Sequence, residues 1–463
     1  MPEAETEYII HLLKIDRSIA SYSLQVPKSI FSSPSIQLNR FSLFVCSLVC
    51  CVCILMEDFN SIIVAPRCST VYGNSRKRLK KTSIEELPID IMFLILKKLN
   101  LVGFIRFRAV CRSWRSIAIT AKKSPQFDLR TQLTWLMIPT SCVSDGLHYG
   151  FFCLFEGKNF RLKLPEVYRA RCCGSDYGWL IMVGHTRSIF LLNPFTRVSI
   201  LLPRQSTLPI KRPLAVDSRY YIRKATLFSA SPVANNNLDD CLVVAIYCTD
   251  NLAFCRPGNE AWTAIDDGNK KFEDIIFYDG KLYAINIKYD LILVELFPYP
   301  KETSCNITPP TEEEAEDPGL FNHPGRVNYK TPDHPKKTVY LVEFLGELLL
   351  VIRFFGIFSK SAMFKIFKLD QQGRCWIRVE ELGDQILFIG TSTGFSVSAL
   401  DYPQLRGNCI YFTYEYSRHS ESIIYGYRPR HDFGVFHLED NTIDFCKSRF
   451  SLSPPIWFTP ISW

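Results

Sequence analysis

Leu87-Pro88-Ile89-Asp90-Ile91-Met92-Phe93-Leu94-Ile95-Leu96-Lys97-Lys98-Leu99, followed by Arg106-Phe107-Arg108-Ala109-Val110-Cys111-Arg112-Ser113-Trp114-Arg115, is the stretch that separates a short helical unit from the rest of the chain. Pro88 suits a first helical turn, where its missing N–H costs nothing. Ile91, Ile95 and Leu99 then recur at four-residue spacing, with Met92 and Leu96 on an adjoining stripe. Asp90 near the start and Lys97 and Lys98 near the end complement the helix dipole. Asn100 ends this helix, a second short one fits Val102 to Ala109, and a third runs from about Cys111 with Trp114 and Ile117 on one face. Leu87, Ile89, Ile91, Phe93 and Leu94 spread over more than one stripe, more apolar surface than three short helices bury among themselves. Such a surplus marks either a partner surface or packing onto the rest of the same chain.

After Lys123 the helical period gives way to strand-like runs that return on themselves across turn residues. Phe151–Phe155 returns as Phe160–Leu164, Ile189–Leu192 as Val198–Leu202, and Leu252–Cys255 as Ala261–Ile265. Phe364–Leu369 returns as Cys375–Val379 and Val435–Leu438 as Ile443–Phe445, and a sixth hairpin starts at Leu291 and meets an insert. Trp262 and Trp376 both lie on returning strands. Hairpins at this recurrence predict a radial repeat whose units bury their faces against neighbours. A β-sandwich would not hold so many short strands. The expected fold class is therefore multidomain, α plus all-β: a three-helix module followed by a β-propeller of six blades. Pro298 to Lys337 holds eight prolines and five acids in Glu312–Asp317, a composition read as a long loop or disordered insert within one blade.

Leu87-Pro88, the Ile91, Ile95, Leu99 spacing and the Phe-Arg-x-Val-Cys-Arg-x-Trp order ending at Trp114 closely resemble the F-box motif. Ile189-Phe190-Leu191-Leu192-Asn193-Pro194-Phe195, Gly394-Phe395-Ser396-Val397-Ser398-Ala399 and Gly407-Asn408-Cys409-Ile410-Tyr411-Phe412-Thr413 resemble the kelch-like β-propeller of a large plant F-box family. The resemblance implies docking on the Skp adaptor, which joins the chain to a cullin–RING scaffold, and capture of a protein target by the propeller. Carried over by position, Leu87, Pro88, Ile91, Ile95, Leu99, Val110, Cys111 and Trp114 form or support the adaptor-docking surface. Gly103 departs mildly from the pattern and weakens the second helix by roughly 1 kcal/mol relative to alanine. The domains read as 1–55 an N-terminal extension, 56–82 a basic leader, 83–120 the F-box, and 130–450 the propeller with its insert at 298–337.

Hydrophobic residues at 47% and charged residues at 22% are globular values that argue against global disorder. The net charge of +8 is local: five positive charges lie in Arg76, Lys77, Arg78, Lys80 and Lys81, a run that reads as a nuclear import signal or a solvated leader. No nucleic-acid partner is expected. Most of the seventeen cysteines sit singly in apolar runs, as small hydrophobes do in a reducing compartment, and the nucleus and/or cytoplasm is the expected location. Phe41 to Met56 is sixteen residues of apolar sequence, short of the about 20 a membrane helix requires. Membrane contact of residues 41–56, a buried element, and a natural start at Met56 are competing readings, the last preferred. Cys50 and Cys53 have no matching Cys/His pair at zinc spacing, so no metal and no cofactor are expected.

Gly390-Thr391-Ser392-Thr393-Gly394 matches the nucleophile-elbow pattern, but the alternating Phe395-Ser396-Val397-Ser398-Ala399 that follows reads as strand where a helix is needed. No catalytic residue is assigned. The leading expectation is a non-catalytic substrate receptor of a ubiquitin ligase. A propeller scaffold with a degenerate F-box is the alternative, and a membrane-tethered serine hydrolase using Ser392 a remote one.

Overall fold

Residues 89–99, 101–122, 135–139, 148–154, 158–209, 221–229, 241–248, 250–265, 270–311, 337–356, 361–402, 405–413, 432–445 and 455–459 are described by the computed structural model. They belong to two compact units, one helical and one built of strands. Leu87, Pro88, the basic run Arg76–Lys81, Cys50, Cys53 and residues 1–82 as a whole lie outside the described residues.

The helical unit contains α1 (Ile89–Lys98), α2 (Leu101–Val110) and α3 (Arg112–Lys122). Each contributes one buried stripe: Met92, Leu96 and Leu99 from α1, Phe104 and Phe107 from α2, and Trp114, Ala118 and Ala121 from α3. Ile95 is half-buried, so of the two stripes read from the sequence the one through Met92 and Leu96 lies deeper. The reason is geometric: spacing of four then three residues follows one helix face, whereas repeated fours drift around it.

In the strand unit, the first sheet holds β1 (Trp135–Pro139), β2 (His148–Cys153) and β3 (Lys158–Lys163). The second is β4 (Arg171–Asp176), β5 (Trp179–Val183), β6 (Ile189–Leu192) and β7 (Ser199–Leu201). The third is β8 (Ile222–Ser229), β9 (Cys241–Tyr247), β10 (Asn251–Cys255) and β11 (Thr263–Ala264). The fourth is β12 (Phe272–Tyr278), β13 (Lys281–Asn286), β14 (Leu291–Glu295) and β15 (Lys301–Ser304). Then come β16 (Lys337–Phe344), β17 (Glu347–Phe355), β18 (Ser361–Asp370) and β19 (Cys375–Val379). They continue into β20 (Gln385–Ile389), β21 (Gly394–Ser398), β22 (Cys409–Phe412), β23 (Gly434–His437) and β24 (Thr442–Phe445). These nine strands form one sheet, ordered β19-β18-β17-β16-β21-β20-β22-β23-β24, in which β21 lies parallel to β16 and β20 parallel to β22. The final strand, β25 (Ile456–Phe458), pairs antiparallel with β1 and completes the first sheet.

All six hairpins expected from the sequence are present, with Phe151 opposite Phe160 and Leu369 opposite Trp376, for example. One expectation is corrected. Lys301–Ser304 is a strand inside the stretch read as an insert, and Thr308 bridges to Cys375 beyond it. Pro298 and Pro300 precede this strand and do not enter it, so its ladder to β14 is complete. The structure describes this stretch only as far as Thr311.

Apolar clusters fill the spaces between successive sheets. One joins the second sheet to the third through Trp179, Ile181, Val243 and Trp262, and another joins the third to the fourth through Val244, Ile246, Ile275 and Ala284. A further cluster links β12–β14 to β16–β18, one links β16–β18 to β20, β22 and β23, and one links these last strands back to β1, β2 and β25. Between the first two sheets Phe195 meets Trp135, Phe151 and Phe458 edge-on or tilted, at centroid distances of 5.6, 5.9 and 5.9 Å. Inner strands approach closely enough to demand glycine at one point: a Cβ on Gly174 would lie 1.9 Å from the Ala225 carbonyl oxygen.

A buried ion pair lies within the nine-stranded sheet. Arg353 of β17 is wholly buried and pairs with Asp432 at 2.9 Å. Its guanidinium also donates to Ser361 Oγ at 2.7 Å, Tyr340 Oη at 3.0 Å and the Thr413 carbonyl at 2.7 Å. The Ser361 amide and hydroxyl both donate to the same Asp432 oxygen, at 2.9 and 2.8 Å. A buried charge is tolerated only when paired and hydrogen-bonded in this way. Asp432→Ala strands the guanidinium and is expected to lower stability by about 3–5 kcal/mol; Gly174→Ala, by overpacking, costs about 1–3 kcal/mol. Urea unfolding of the purified variants measures both.

Candidate functional site

Apolar side chains at the surface of the helical unit define its candidate site. Ile89, Val110 and Ile119 are 54%, 48% and 44% exposed, although each belongs to a helix whose own stripe is already buried. Phe93, Ile95, Cys111 and Ile117 are half-buried. In the interior of the unit Trp114 packs against Phe107 in a tilted arrangement with ring centroids 4.3 Å apart, and its backbone amide donates to Cys111 Sγ at 3.4 Å. Of the residues expected to dock an adaptor, Val110 is thus exposed, Ile95 and Cys111 are partly so, and Leu99 and Trp114 lie in the interior. The side chain of Ile91 is outside the described set, as are Leu87 and Pro88. Arg108 crosses over the Phe104 ring at 5.9 Å, and burial followed by the charge of Arg115 holds its pKa below the usual arginine value.

In the strand unit, polar side chains of the inner strands gather around the Asp176 carboxylate. Thr226 Oγ1 and the Leu227 amide, both on β8, donate to Asp176 Oδ2 at 3.0 Å each. Thr393, in the turn between β20 and β21, reaches the same group and donates to Thr226 Oγ1 at 3.3 Å. Next along β8, Lys224 pairs with Asp274 of β12, which also accepts the Leu341 amide of β16 at 2.9 Å. Polar contacts therefore link the second sheet to the third and to the β20–β21 turn through Asp176, and the third to the fourth and to β16 through Lys224 and Asp274. Burial pushes Asp176 up to about 6, against the opposing pull of the Leu227, Thr393 and Thr226 hydrogen bonds and of Lys224.

Ser392, the residue at the nucleophile-elbow pattern, sits 2% exposed in this same turn, and a strand follows it where an elbow needs a helix. His437, one of the histidines later in the chain, is engaged elsewhere: Nδ1 contacts Cys409 Sγ at 3.2 Å and Nε2 contacts Asp444 Oδ2 at 3.1 Å. That thiol–imidazole–carboxylate order resembles a cysteine-hydrolase triad. Cys409, however, is 1% exposed and packed in the cluster that holds Trp457 and Tyr411, so its thiol does not face solvent. Among the described residues no His/Cys/Asp/Glu group could hold a metal ion, and no helix is long and apolar enough to cross a membrane. The membrane contact considered for residues 41–56 falls outside the described residues.

Three inner hairpins carry a feature that the sequence reading missed. Asp176-Tyr177-Gly178-Trp179, Tyr278-Asp279-Gly280-Lys281 and Phe344-Leu345-Gly346-Glu347 are equivalent two-residue turns, with φ of 51° and 75°, 49° and 69°, and 52° and 79° at their central positions. The residue–Gly pair between apolar strands was the signal available for them.

Comparison with known proteins agrees with this architecture. The family profile described as F-box domain matches residues 84–123, and the one described as KIB1-4 beta-propeller matches residues 151–437. The chain is similar to F-box protein At2g26160 of Arabidopsis thaliana, 25% identical over 359 residues spanning 72% of this chain and 96% of that one. It is also similar to the Arabidopsis F-box protein SKIP23, at 23% over 432 residues (81% and 95% of the two chains). The Arabidopsis F-box/kelch-repeat protein At3g18720 matches at 24% over 374 residues (76% and 87%).

The position of Asp176 makes stability depend on pH. Its folded-state pKa of about 6 lies above the ordinary 3.8, so the folded protein binds the extra proton between these values. The associated stability is present below the ordinary pKa and is lost as pH rises through about 6. Asp176→Asn is expected to flatten that part of the profile, as followed by urea unfolding across the acid range.

Proposed function

The chain belongs to the plant F-box proteins that carry a KIB1-4 β-propeller, and on that premise we propose that it is the substrate-recognition subunit of a Skp–cullin–F-box ubiquitin ligase. The observation that carries this reading is the exposure of Ile89, Val110 and Ile119 on the unit matched as an F-box, in one chain with a propeller. A helical unit that has already buried its core stripes needs a partner to cover a second apolar face. In this reading Ile89, Val110, Cys111 and Ile95 contact the Skp adaptor, and the F-box resemblance assigns Leu87, Pro88 and Ile91 to the same task. Leu99 and Trp114 hold the helices in position beneath it.

The propeller then presents a target protein to the ubiquitin-charged enzyme carried by the cullin–RING scaffold. The contribution to rate is proximity, and the covalent chemistry belongs to other subunits. The nine-stranded sheet is read as two blades joined edge to edge through β21, which with the four four-stranded sheets makes six. The apolar clusters between successive strand groups support that count. The ten cysteines among the described residues are all free thiols, in keeping with the nucleus and/or cytoplasm as the site of action.

Co-purification of the full chain with the Skp adaptor tests the proposal. Wild type is expected to bind. The double variant Ile89→Asp/Val110→Asp, altered only at exposed positions, is expected to bind roughly 30-fold more weakly or worse, the loss typical of interface hot spots. Thermal unfolding of the propeller should be unchanged in the same variant. A well-folded wild type that binds no adaptor would favour the scaffold reading.

A further inference from the structure

Tyr177, Asp279 and Leu345 occupy the first central position of the three equivalent inner hairpin turns. They belong to one end of the strand unit. The Tyr278 hydroxyl donates to the Gly346 carbonyl at 2.8 Å, which ties the second turn to the third, and Glu343 is close enough to Tyr177 to disfavour its ionisation. β21 joins the same end, where Ser396 Oγ donates to the Glu343 carbonyl at 3.0 Å.

Turn chemistry alone favours Asn, Asp or Gly at such a position. Asp279 conforms. Tyr177 and Leu345 instead place an aromatic ring and an aliphatic side chain at the tips, 37% and 70% exposed. Around them Asp279, Glu343 and Glu347 are exposed carboxylates. Glu347 is paired with Lys368 at 3.2 Å, whereas no ion pair is formed by Asp279 or Glu343 among the described residues. The negative field converges here: after burial, the charges of Asp279, Glu343 and Glu347 raise the pKa of Tyr278, and Asp176 and Glu343 do the same for Tyr177. An exposed leucine and tyrosine near the carboxylates of Asp279 and Glu343, with Glu347 paired to Lys368 and the exposed Lys281 ending the second turn, are complementary to a segment that alternates cationic and aliphatic side chains. The aliphatic groups gain from leaving water, and the cations find charges of opposite sign.

We propose that this end of the propeller is the target-docking surface and takes a basic, leucine-bearing peptide segment, with Leu345 and Tyr177 receiving the aliphatic side chains and Asp279 and Glu343 the cationic ones. The inference rests on the receptor reading above and adds the chemistry of the target.

The full chain, without adaptor, is titrated into a short fluorescein-labelled peptide alternating lysine and leucine, and anisotropy is recorded; a glutamate–leucine peptide is the control. Wild type is expected to bind the lysine peptide and not the glutamate one, with affinity falling as salt is raised. Asp279→Asn/Glu343→Gln should weaken binding about tenfold and flatten the salt dependence, and Leu345→Ser should weaken it about fivefold. All three positions are exposed, so folding is preserved, and circular dichroism checks it. Binding by these variants equal to wild type, no binding by wild type, or equal binding of the glutamate peptide would each overturn the proposal. Adaptor co-purification of the same proteins reports separately on the receptor reading: its loss with peptide binding intact sinks that reading alone.

Discussion

The antiparallel pairing of Ile456–Phe458 with Trp135–Pro139 brings together the last and first described strands of the strand unit. Trp135 lies opposite Phe458, Leu136 opposite Trp457 and Met137 opposite Ile456. Without this pairing β1 would expose a free edge, with unpaired backbone groups available to another chain. With it, the cluster containing Leu136, Phe152, Phe388, Tyr411 and Trp457 is enclosed from both sides, and Trp457 Nε1 reaches across to the Ile389 carbonyl at 2.9 Å. Each sheet buries both of its faces only because its neighbours are held in place, so closure supports every other interface in the unit. A contact this distant along the chain also carries a large loop-closure entropy.

Between the sheets the structure combines apolar packing with a few buried charges. The Arg353–Asp432 pair and the Lys224–Asp274 pair each span separate strand groups, and each is completed by backbone or hydroxyl partners. Apolar surfaces are stabilising in many relative positions, because burial is not directional. A buried ion pair is tolerable only at one geometry, since a small displacement leaves a charge without its partner. The pairs therefore specify how sheets that would pack in several ways are set against one another, and the aromatic and aliphatic clusters supply most of the driving force.

The two units present apolar groups to solvent in different ways. In the helices the exposed Ile89, Val110 and Ile119 are left over after one stripe of each helix has been buried. In the propeller Tyr177 and Leu345 are exposed because two-residue turns between long inner strands leave no room to fold them back. The first arrangement suits a broad apolar contact, the second a narrow segment gripped by a few side chains.

Much of this was legible in the chain itself. Local spacing placed the three helices, and alternation with turn residues placed all six outer hairpins, because both signals arise from backbone geometry within about ten residues. The residue order from Leu87 to Trp114 resembles the F-box motif, and adaptor docking was what that resemblance implied. The inner hairpins were missed because their strands are buried on both faces and lack alternation, so only the residue–Gly pairs marked them. Lys301–Ser304 was missed because surrounding prolines dominated the composition. Which apolar residues remain exposed, that Arg353 meets Asp432, and that Asp176, Thr226 and Thr393 share one network were decided only by the tertiary structure. These contacts join residues far apart in sequence, and a propeller fixes such neighbours through the order and closure of its sheets, which no local pattern encodes.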